Sequence, residues 1–306
     1  MKKYRTFITI LIFYFLFSMV AMPKLFLQTT LGGISAWASS VLPSLLPFVF
    51  FTKLLSSYGD VSFITKPFAK PMKKLFFAPS ESAYVFFMSM VSGYPVGAKI
   101  TADLYESGKI ARADAFKMMS FCSTSGPMFI IGAVGVGMLG NATFGYIIFI
   151  SHILGALING LLYRKIKVQD LPPNLEQTSK KQTDLSQIVI DTCLSVLSVG
   201  AIIAVFFVVI QSFDPLLSLM PKEVSSILAG LVEITKGCLD ISSSLSGLLS
   251  VVACTFVITF GGLSTIMQSL TMLDKIKMPA SLFTLQKFTH ALLATLISVI
   301  LCFIFL

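Results

Sequence analysis

The feature that most constrains this chain is its series of long, continuous apolar segments. The stretches 143–163, 187–212 and 287–306 each contain at most one charged residue. A helix of about 20 apolar residues crosses the hydrocarbon core of a bilayer, which is about 30 Å thick. Within that core only helices and closed barrels satisfy the backbone, and the apolar residues here are continuous rather than alternating. The sequence therefore predicts an all-α polytopic membrane protein.

The low charge content excludes an ordinary soluble domain. Charged residues make up 12% and hydrophobic residues 55% of the 306 residues, whereas soluble domains carry about 25% charged residues. The net charge of +9 comes from Lys and Arg in short segments between apolar runs, such as 66–74 and 164–167. This is the pattern of the positive-inside rule, and the sequence has no basic, aromatic-interleaved groove for a nucleic-acid strand. We therefore expect a lipid bilayer as partner and no nucleic acid.

No motif for enzyme chemistry or cofactor binding is found. The sequence contains no Walker A, HExxH or GxSxG pattern, so ATP hydrolysis, zinc peptidase and serine hydrolase activities lack support. The five cysteines are scattered without CxxC spacing, which argues against a disulfide framework or a zinc site. His152 and His290 are far apart in the sequence, and a lone histidine is most often structural. We therefore predict no enzyme activity, no metal and no cofactor.

A polar segment divides the chain into two similar halves. We assign 1–34 to an N-terminal transmembrane helix and its connection, 35–163 to a first repeat, 164–184 to a cytoplasmic linker and 185–306 to a second repeat. Each half contains an apolar helix, an apolar stretch broken at glycine, a short arm and a spanning helix. The basic segments orient these halves in opposite directions, with the N-terminus in the cytoplasm. Two inverted repeats are the architecture of many secondary transporters.

Each repeat is predicted to contain a re-entrant hairpin. The first covers 82–106 with a break at Gly93, and the second covers 246–273 with a break at Gly262. Each arm is too short to cross about 30 Å at 1.5 Å per residue. Aligning the two glycines places the breaks at equivalent positions. The sequence therefore predicts two broken hairpins that meet near the bilayer midplane.

Three further segments differ from simple spans. The helix at about 35–56 contains two prolines, so we expect it to be kinked or locally unwound. A basic loop is expected over 57–80. The short stretch 223–239 carries Glu233 in an apolar run, and ionisable groups at membrane depth usually face a partner or an aqueous path.

The breaks supply the candidate substrate site, because backbone groups freed in a membrane need protein or a water-filled cavity to receive them. The residues that we predict to line this site are Ser92, Gly93, Tyr94, Pro95, Gly97, Lys99, Ser123, Thr124, Ser125, Gly126, Glu233, Thr235, Gly261, Gly262, Ser264, Thr265 and Gln268. Lys99 and the helix N-termini would bind an anion. Glu233 would bind a coupling ion, gate the site or pair with Lys99. The alternative is that both charges are interfacial and the glycines only pack helices.

Four motifs resemble those of a known family. They lie at 92–99 (SGYPVGAK), 121–132 (FCSTSGPMFIIG), 233–237 (EITKG) and 260–268 (FGGLSTIMQ), in this order along the chain. They are similar to motifs of the YlbJ-like family of sporulation integral membrane proteins. This resemblance implies a relation to the nucleoside-recognition Gate domains and to the fold of concentrative nucleoside transporters.

The same resemblance implies transport as the function. We expect a secondary transporter or facilitator of a small anionic solute in the bacterial cytoplasmic (inner) membrane. A dipicolinate-like carboxylate is one candidate, because sporulation members of the family are linked to dipicolinate movement. The coupling ion would be a proton or sodium, and a homo-oligomer is left open. One alternative is a nucleoside or cation transporter, and a second is a membrane scaffold or assembly factor without transport.

Overall fold

The computed structural model describes residues 2–58, 62–169 and 184–306, and this part of the chain is helical with short connections. Its α-helices are α1 (Lys2–Ala21), α2 (Pro23–Ala36), α3 (Leu42–Tyr58), α4 (Ser62–Leu75), α5 (Glu81–Ser92), α6 (Val96–Glu106), α7 (Arg112–Met119), α8 (Ala142–Tyr163), α9 (Leu185–Ser212), α10 (Asp214–Leu217), α11 (Lys222–Val232), α12 (Ile234–Ser244), α13 (Gly247–Phe260), α14 (Gly262–Leu273) and α15 (Ala280–Phe305). Two π-helical segments, Trp37–Val41 and Met128–Met138, and a 3-10 turn at Asp274–Ile276 complete the described elements.

Four helical runs in the described residues are long and apolar enough to cross a membrane. They are Ala142–Tyr163, Leu185–Ser212, Gly247–Ile276 and Ala280–Phe305. A fifth candidate combines Thr6–Ala21 with Pro23–Val41, and this pair is bent by 105°. Large apolar side chains lie exposed along these runs, as expected where lipid replaces water around the protein. The prediction of an all-α polytopic membrane protein is confirmed.

The helix predicted at 35–56 begins earlier than the sequence indicates. α2 starts at Pro23, where proline is tolerated because the first helical turn has no amide partner to lose. The π-helical turn Trp37–Val41 connects α2 directly to α3. A π-helical turn is one of the recognised causes of a helix bend. The irregularity that we predicted for this helix is therefore present as a widened turn before its prolines.

Helix α4 occupies much of the segment predicted as a basic loop over 57–80, so that prediction is wrong. Lys66, Lys70 and Lys73 are exposed on this helix, whereas Met72 is buried against the core. The prolines within α4 lower its intrinsic helix preference. Its amphipathic spacing, which buries one apolar face, outweighs that preference.

The first predicted hairpin is broken where the sequence indicates. α5 ends at Ser92, α6 begins at Val96, and Gly93 between them has a φ of +76°. The second arm folds back against the first, since a Cβ on Gly97 would lie 2.7 Å from the Ser89 hydroxyl oxygen. A side chain at Gly97 would therefore push the two arms apart.

The second hairpin lies elsewhere than predicted. α11 and α12 fold back on each other with Gly237 packed directly against Gly230. α13 and α14 instead form one run, Gly247–Ile276, that is long enough to cross a membrane. The predicted hairpin at 246–273 is therefore wrong. The glycines in that segment interrupt a single span, whereas Gly230 and Gly237 supply the close backbone approach that a tight hairpin needs.

Both halves of the chain repeat one order of elements. The first half contains the pair α5–α6, then α7 with the π-helix Met128–Met138, then α8. The second half contains the pair α11–α12, then α13 with α14, then α15. This order places the break at Gly93 opposite the break at Glu233, and the break at 120–127 opposite Gly261.

Helices α8, α13 and α15 form the centre of the bundle. α8 and α15 approach each other closely, because a Cβ on Gly155 would lie 2.9 Å from the backbone amide nitrogen of Ala294. α8 begins with Asn141, whose side chain accepts a hydrogen bond from the amide of Thr143 and caps the helix. These long helices hold the side chains that connect the broken segments.

One end of the bundle is tied together by polar contacts between the two halves. The Arg112 guanidinium donates to the carbonyl oxygens of Ile276 and Lys277 at 2.8 and 2.9 Å. The Lys275 ammonium lies 2.5 Å from the Glu106 carboxylate. The α6–α7 connection and the end of the second-half span therefore lie on the same side of the protein.

Candidate functional site

The first two breaks are packed against each other through glycine. A Cβ on Gly93 would lie 2.8 Å from the amide nitrogen of Gly126. A Cβ on Gly97 would overlap the carbonyl oxygen of Cys122. Since any side chain at these positions would separate the segments, the glycines bring the two freed stretches of backbone into contact.

A buried lysine connects these breaks to the third. Lys287 on α15 is 2% exposed, and its ammonium donates to the Tyr94 hydroxyl at 2.7 Å and to the Ser123 carbonyl at 2.9 Å. It also lies 4.4 Å from the centre of the Tyr94 ring, within the range of a cation–π interaction. A Cβ on Gly261 would lie 3.4 Å from Lys287 Cε and 3.7 Å from Tyr94 Cζ. Lys287 therefore lies where three broken segments meet.

The positive charge of Lys287 has no carboxylate partner among the described residues. An ammonium group has three donors, and two of them are used by Tyr94 and Ser123. Burying an ion costs several kcal/mol when no opposite charge compensates it. Such a residue inside a membrane protein usually marks a path or a binding site for a charged species.

Tyr94 joins the first break to α13. Its hydroxyl lies 3.3 Å from the carbonyl oxygen of Ile258 and 3.4 Å from that of Thr259. Both carbonyls belong to the last turn of α13, just before Gly261 ends the helix in a left-handed conformation. Carbonyl oxygens in a last helical turn lack intrahelical partners, so the tyrosine hydroxyl can donate its proton to one of them.

His152 on α8 also connects two breaks. Its Nε2 atom accepts the backbone N–H of Ser125 at 2.9 Å, and its Nδ1 atom lies 2.9 Å from the Thr259 hydroxyl. The ring of His290 lies beside it, with 4.8 Å between ring centres. The His290 Nε2 atom lies 2.9 Å from the carbonyl oxygen of His152. The two histidines therefore form a buried pair, in contrast to the expectation of separate structural residues.

Hydroxyl groups line the same region, and two of them lack partners. Ser89 and Thr124 place their hydroxyl oxygens 3.0 Å apart, and the Thr124 amide donates to Ser89 Oγ. The buried hydroxyl oxygens of Ser92 and Ser264 have no hydrogen-bond partner within the described residues. Buried polar groups are normally satisfied, so these two hydroxyls are candidates to contact a bound molecule.

Glu233 caps the start of a helix, which the sequence did not predict. Its carboxylate accepts the amide of Lys236 at 2.8 Å and caps the N-terminus of α12. A carboxylate at this position also interacts favourably with the helix dipole. No ion pair between Glu233 and Lys99 is among the salt bridges of the described residues. Gly262 lies beside this break, with the Val232 carbonyl 3.2 Å from its Cβ position.

Comparison with known proteins supports the predicted relationship. Residues 38–142 match the family model described as Gate, nucleoside recognition. A stretch of 157 residues is 38% identical to the sporulation integral membrane protein YlbJ of Bacillus subtilis, and it covers 49% of this chain and 38% of that protein. The resemblance to the YlbJ-like family is confirmed. No solved structure matches the chain.

The Gate match contains the first two breaks and ends before the residues that join them. Lys287 and His290 lie on α15, far outside residues 38–142. The matched stretch therefore holds Tyr94, Ser123 and Ser125, whereas their partners Lys287 and His152 lie on α15 and α8.

Most predicted site residues converge, but Lys99 does not lie with them. Lys99 is exposed, and its amide bonds to the Pro95 carbonyl in the first turn of α6. Thr265 donates from its hydroxyl to the Gly261 carbonyl, and Thr235 is buried in the first turn of α12. Gln268 is half-buried one turn farther along α14. The cationic residue at the convergence is therefore Lys287, which the sequence reasoning missed.

A sequence signal for Lys287 did exist. The last apolar span was predicted to begin at residue 287, which would place this lysine at the membrane boundary. α15 instead begins at Ala280 after Pro279, so Lys287 lies two turns inside the helix. Proline before a helix and a single charge within an apolar span would together have indicated a buried lysine.

Proposed function

We propose that this protein is a secondary transporter or facilitator of a small anionic solute. The observation that supports it best is the buried Lys287 ammonium, which lies at the meeting point of three broken segments and has no carboxylate partner in the described part of the chain. A bound anion would compensate this charge. Lys287 takes the role that the sequence assigned to Lys99.

Neighbouring groups complement an anion at this position. α14 begins at Gly262, and Gly261 directly before it lies next to the lysine side chain; a helix N-terminus carries a partial positive charge and free amides. The Ser264 hydroxyl is buried within the first turn of α14 and has no partner in the described residues. One ammonium, one helix terminus and neutral hydroxyls favour a carboxylate or phosphate over a cation. A dipicolinate-like dicarboxylate fits this class.

The proposed architecture is a pair of inverted repeats in the bacterial cytoplasmic membrane. The shared order of elements in the two halves supports the repeats, with the hairpins assigned to α5–α6 and α11–α12. The contact between Lys275 and Glu106 supports placing both on the cytoplasmic side, together with the basic residues that follow α8. This arrangement brings Lys275 and Lys277 into agreement with the positive-inside rule. The cytoplasmic position of the N-terminus stays a prediction.

The experiment is uptake into proteoliposomes that contain the purified full chain. Radiolabelled dipicolinate, succinate, phosphate, uridine and rubidium serve as probes, and each is tested with wild type, Lys287→Met and Lys99→Met. We expect uptake of at least one anion by wild type and by Lys99→Met, and loss of that uptake in Lys287→Met. Normal anion uptake by Lys287→Met would contradict the assigned role of the lysine.

A nucleoside carrier is the second candidate, because the matching family model is described as nucleoside recognition. The polar groups at the breaks include hydroxyls and free carbonyls that a neutral ligand could use. In the same assay this candidate requires uridine uptake that competing nucleosides inhibit and that persists in Lys287→Met. Absence of uptake for every probe, with folded protein, would favour the third candidate, a membrane scaffold or assembly factor.

A further inference from the structure

The two histidines occupy equivalent positions in the two halves of the chain. α8 begins at Ala142 and α15 at Ala280, and each histidine is the eleventh residue of its helix. The preceding residue is Ser151 in one helix and Thr289 in the other. These are the only histidines in the sequence, and their rings lie 4.8 Å apart between α8 and α15. The pair therefore lies at the interface between the two halves.

The hydrogen bonds assign a different tautomer to each ring. His152 Nε2 accepts the Ser125 N–H, so its ring proton is on Nδ1 and is donated to the Thr259 hydroxyl. His290 Nε2 faces the His152 carbonyl oxygen, which can only accept, so His290 carries its proton on Nε2. The lone pair of His290 Nδ1 is therefore available to bind a second proton.

The two rings respond differently to protonation. His290 can gain a proton on Nδ1 and keep its hydrogen bond to the His152 carbonyl. His152 can gain one only on Nε2, where the new N–H would face the Ser125 N–H that the ring now accepts. Protonation of His152 would therefore separate Ser125 from α8 and release the second break, which also holds the Lys287 ammonium through Ser123.

The charged and titratable groups around the pair link proton binding to anion binding. Lys287 lies one turn before His290 on α15, so its positive charge opposes a proton on that ring. The first break contributes the Tyr94 hydroxyl, which contacts the same lysine. α13 contributes the Thr259 hydroxyl, whereas its thiol at Cys254 lies against Cys238 of α12. An anion at Lys287 would compensate the charge that opposes a proton on the histidines.

We infer that His152 and His290 together bind one proton, and that this proton is the coupling ion for anion transport. The inference rests on the proposed function for the transport step, and on the geometry of the pair for the proton site. Binding of the anion and of the proton strengthen each other, because each reduces the repulsion felt by the other. The protein would then move one proton with each anion.

Two measurements on the full chain test this inference separately. Histidine labelled with nitrogen-15 gives signals from two rings only, and His290→Gln leaves one ring for assignment. We expect neutral rings with opposite tautomers at pH 8, and one cationic ring in wild type as the pH falls to 5 in the presence of the anion probes. Rings that both stay neutral across this range would overturn the proton site, whether or not any anion is transported.

Transport tests the coupling. With the interior of the vesicles one pH unit more alkaline, one proton per anion supports accumulation of up to about tenfold. We expect accumulation of the transported anion by wild type, and equilibration without accumulation in His290→Gln, whose amide N–H can still donate to the His152 carbonyl. Thermal unfolding of the variant checks that it is folded. Accumulation by His290→Gln equal to wild type would overturn the coupling.

If wild type transports none of the anion probes, the proposed function fails and the coupling fails with it. The titration of the two rings still decides whether the pair is a proton site. Failure of the proposed anion transport can therefore be distinguished from failure of the proton site.

Discussion

Replacing Lys287 by methionine is predicted to weaken anion binding strongly without destabilising the ligand-free protein. The wild-type ammonium donates two hydrogen bonds, at 2.7 Å to Tyr94 and at 2.9 Å to Ser123. In the variant, the Tyr94 hydroxyl keeps the Ile258 and Thr259 carbonyls as partners. The main loss is the hydrogen bond to the Ser123 carbonyl oxygen. An unsatisfied buried acceptor costs about 1–3 kcal/mol.

The gain from removing the charge has a similar or larger size. The effective penalty for burying an ion is several kcal/mol, and methionine fills most of the volume of the lysine stem with a flexible apolar chain. The free energy of unfolding of ligand-free Lys287→Met should therefore equal or exceed that of wild type. In anion binding, losing a hydrogen bond to a charged group of about 1.5–3 kcal/mol weakens the affinity by about 10- to 150-fold.

Thermal unfolding in detergent, with and without the transported anion, measures both effects. Wild type should be stabilised by the anion, because a ligand that binds only the folded state raises the unfolding temperature. Lys287→Met should unfold at the wild-type temperature or above, with a smaller shift than wild type at the same anion concentration. Lys99→Met is the matched control, since Lys99 is exposed, and it should keep the shift. An unfolding temperature of ligand-free Lys287→Met below that of wild type would refute the reasoning.

Three further predictions follow from the packing and the polar contacts. Gly237→Ala should lower stability by about 1–3 kcal/mol in thermal unfolding, because its Cβ would overlap the backbone of Gly230; Gly32→Ala, with open space at its Cβ position, is the control and should be neutral. Glu233→Ala should cost about 0.5–2 kcal/mol through loss of the α12 cap, whereas Glu233→Gln should recover most of this; equal losses would contradict the capping role. Cysteine placed at Lys275 should react with a membrane-impermeant maleimide from the same side as cysteine placed at Glu106, and reaction from opposite sides would contradict their contact.

The breaks at Gly93 and at Gly261 were predictable, because glycine and proline act on the local backbone. Gly93 and Gly261 adopt positive φ angles, and the spans at 143–163 and 187–212 agree with α8 and α9 within two residues at each end. Hydrophobicity over about 20 residues is also a local property. These features need no knowledge of which segments touch.

The partners of each break were not predictable in the same way. Which broken stretch folds back depends on the contact between Gly230 and Gly237, and a glycine pair in sequence does not reveal whether it packs a hairpin or interrupts a span. The lysine that we propose for anion binding, Lys287, contacts Tyr94 across 193 residues of sequence, and no local pattern indicates such a contact. Similarly, the histidine pair forms only when α8 and α15 pack together.

The π-helix Met128–Met138 has a mechanical consequence for the break that precedes it. In such a helix each amide bonds five residues back, as Leu139 does to Val134 at 2.8 Å, rather than four. Slipping one residue from this pattern into an α-helical one would rotate the preceding chain by about 100° around the helix axis. Asn141 caps α8 and holds the C-terminal end of the π-helix in place. The rotation would therefore move the N-terminal side, which contains Ser125. A change of helical register in this π-helix would therefore rotate the chain before it and move the Ser125 amide toward or away from His152.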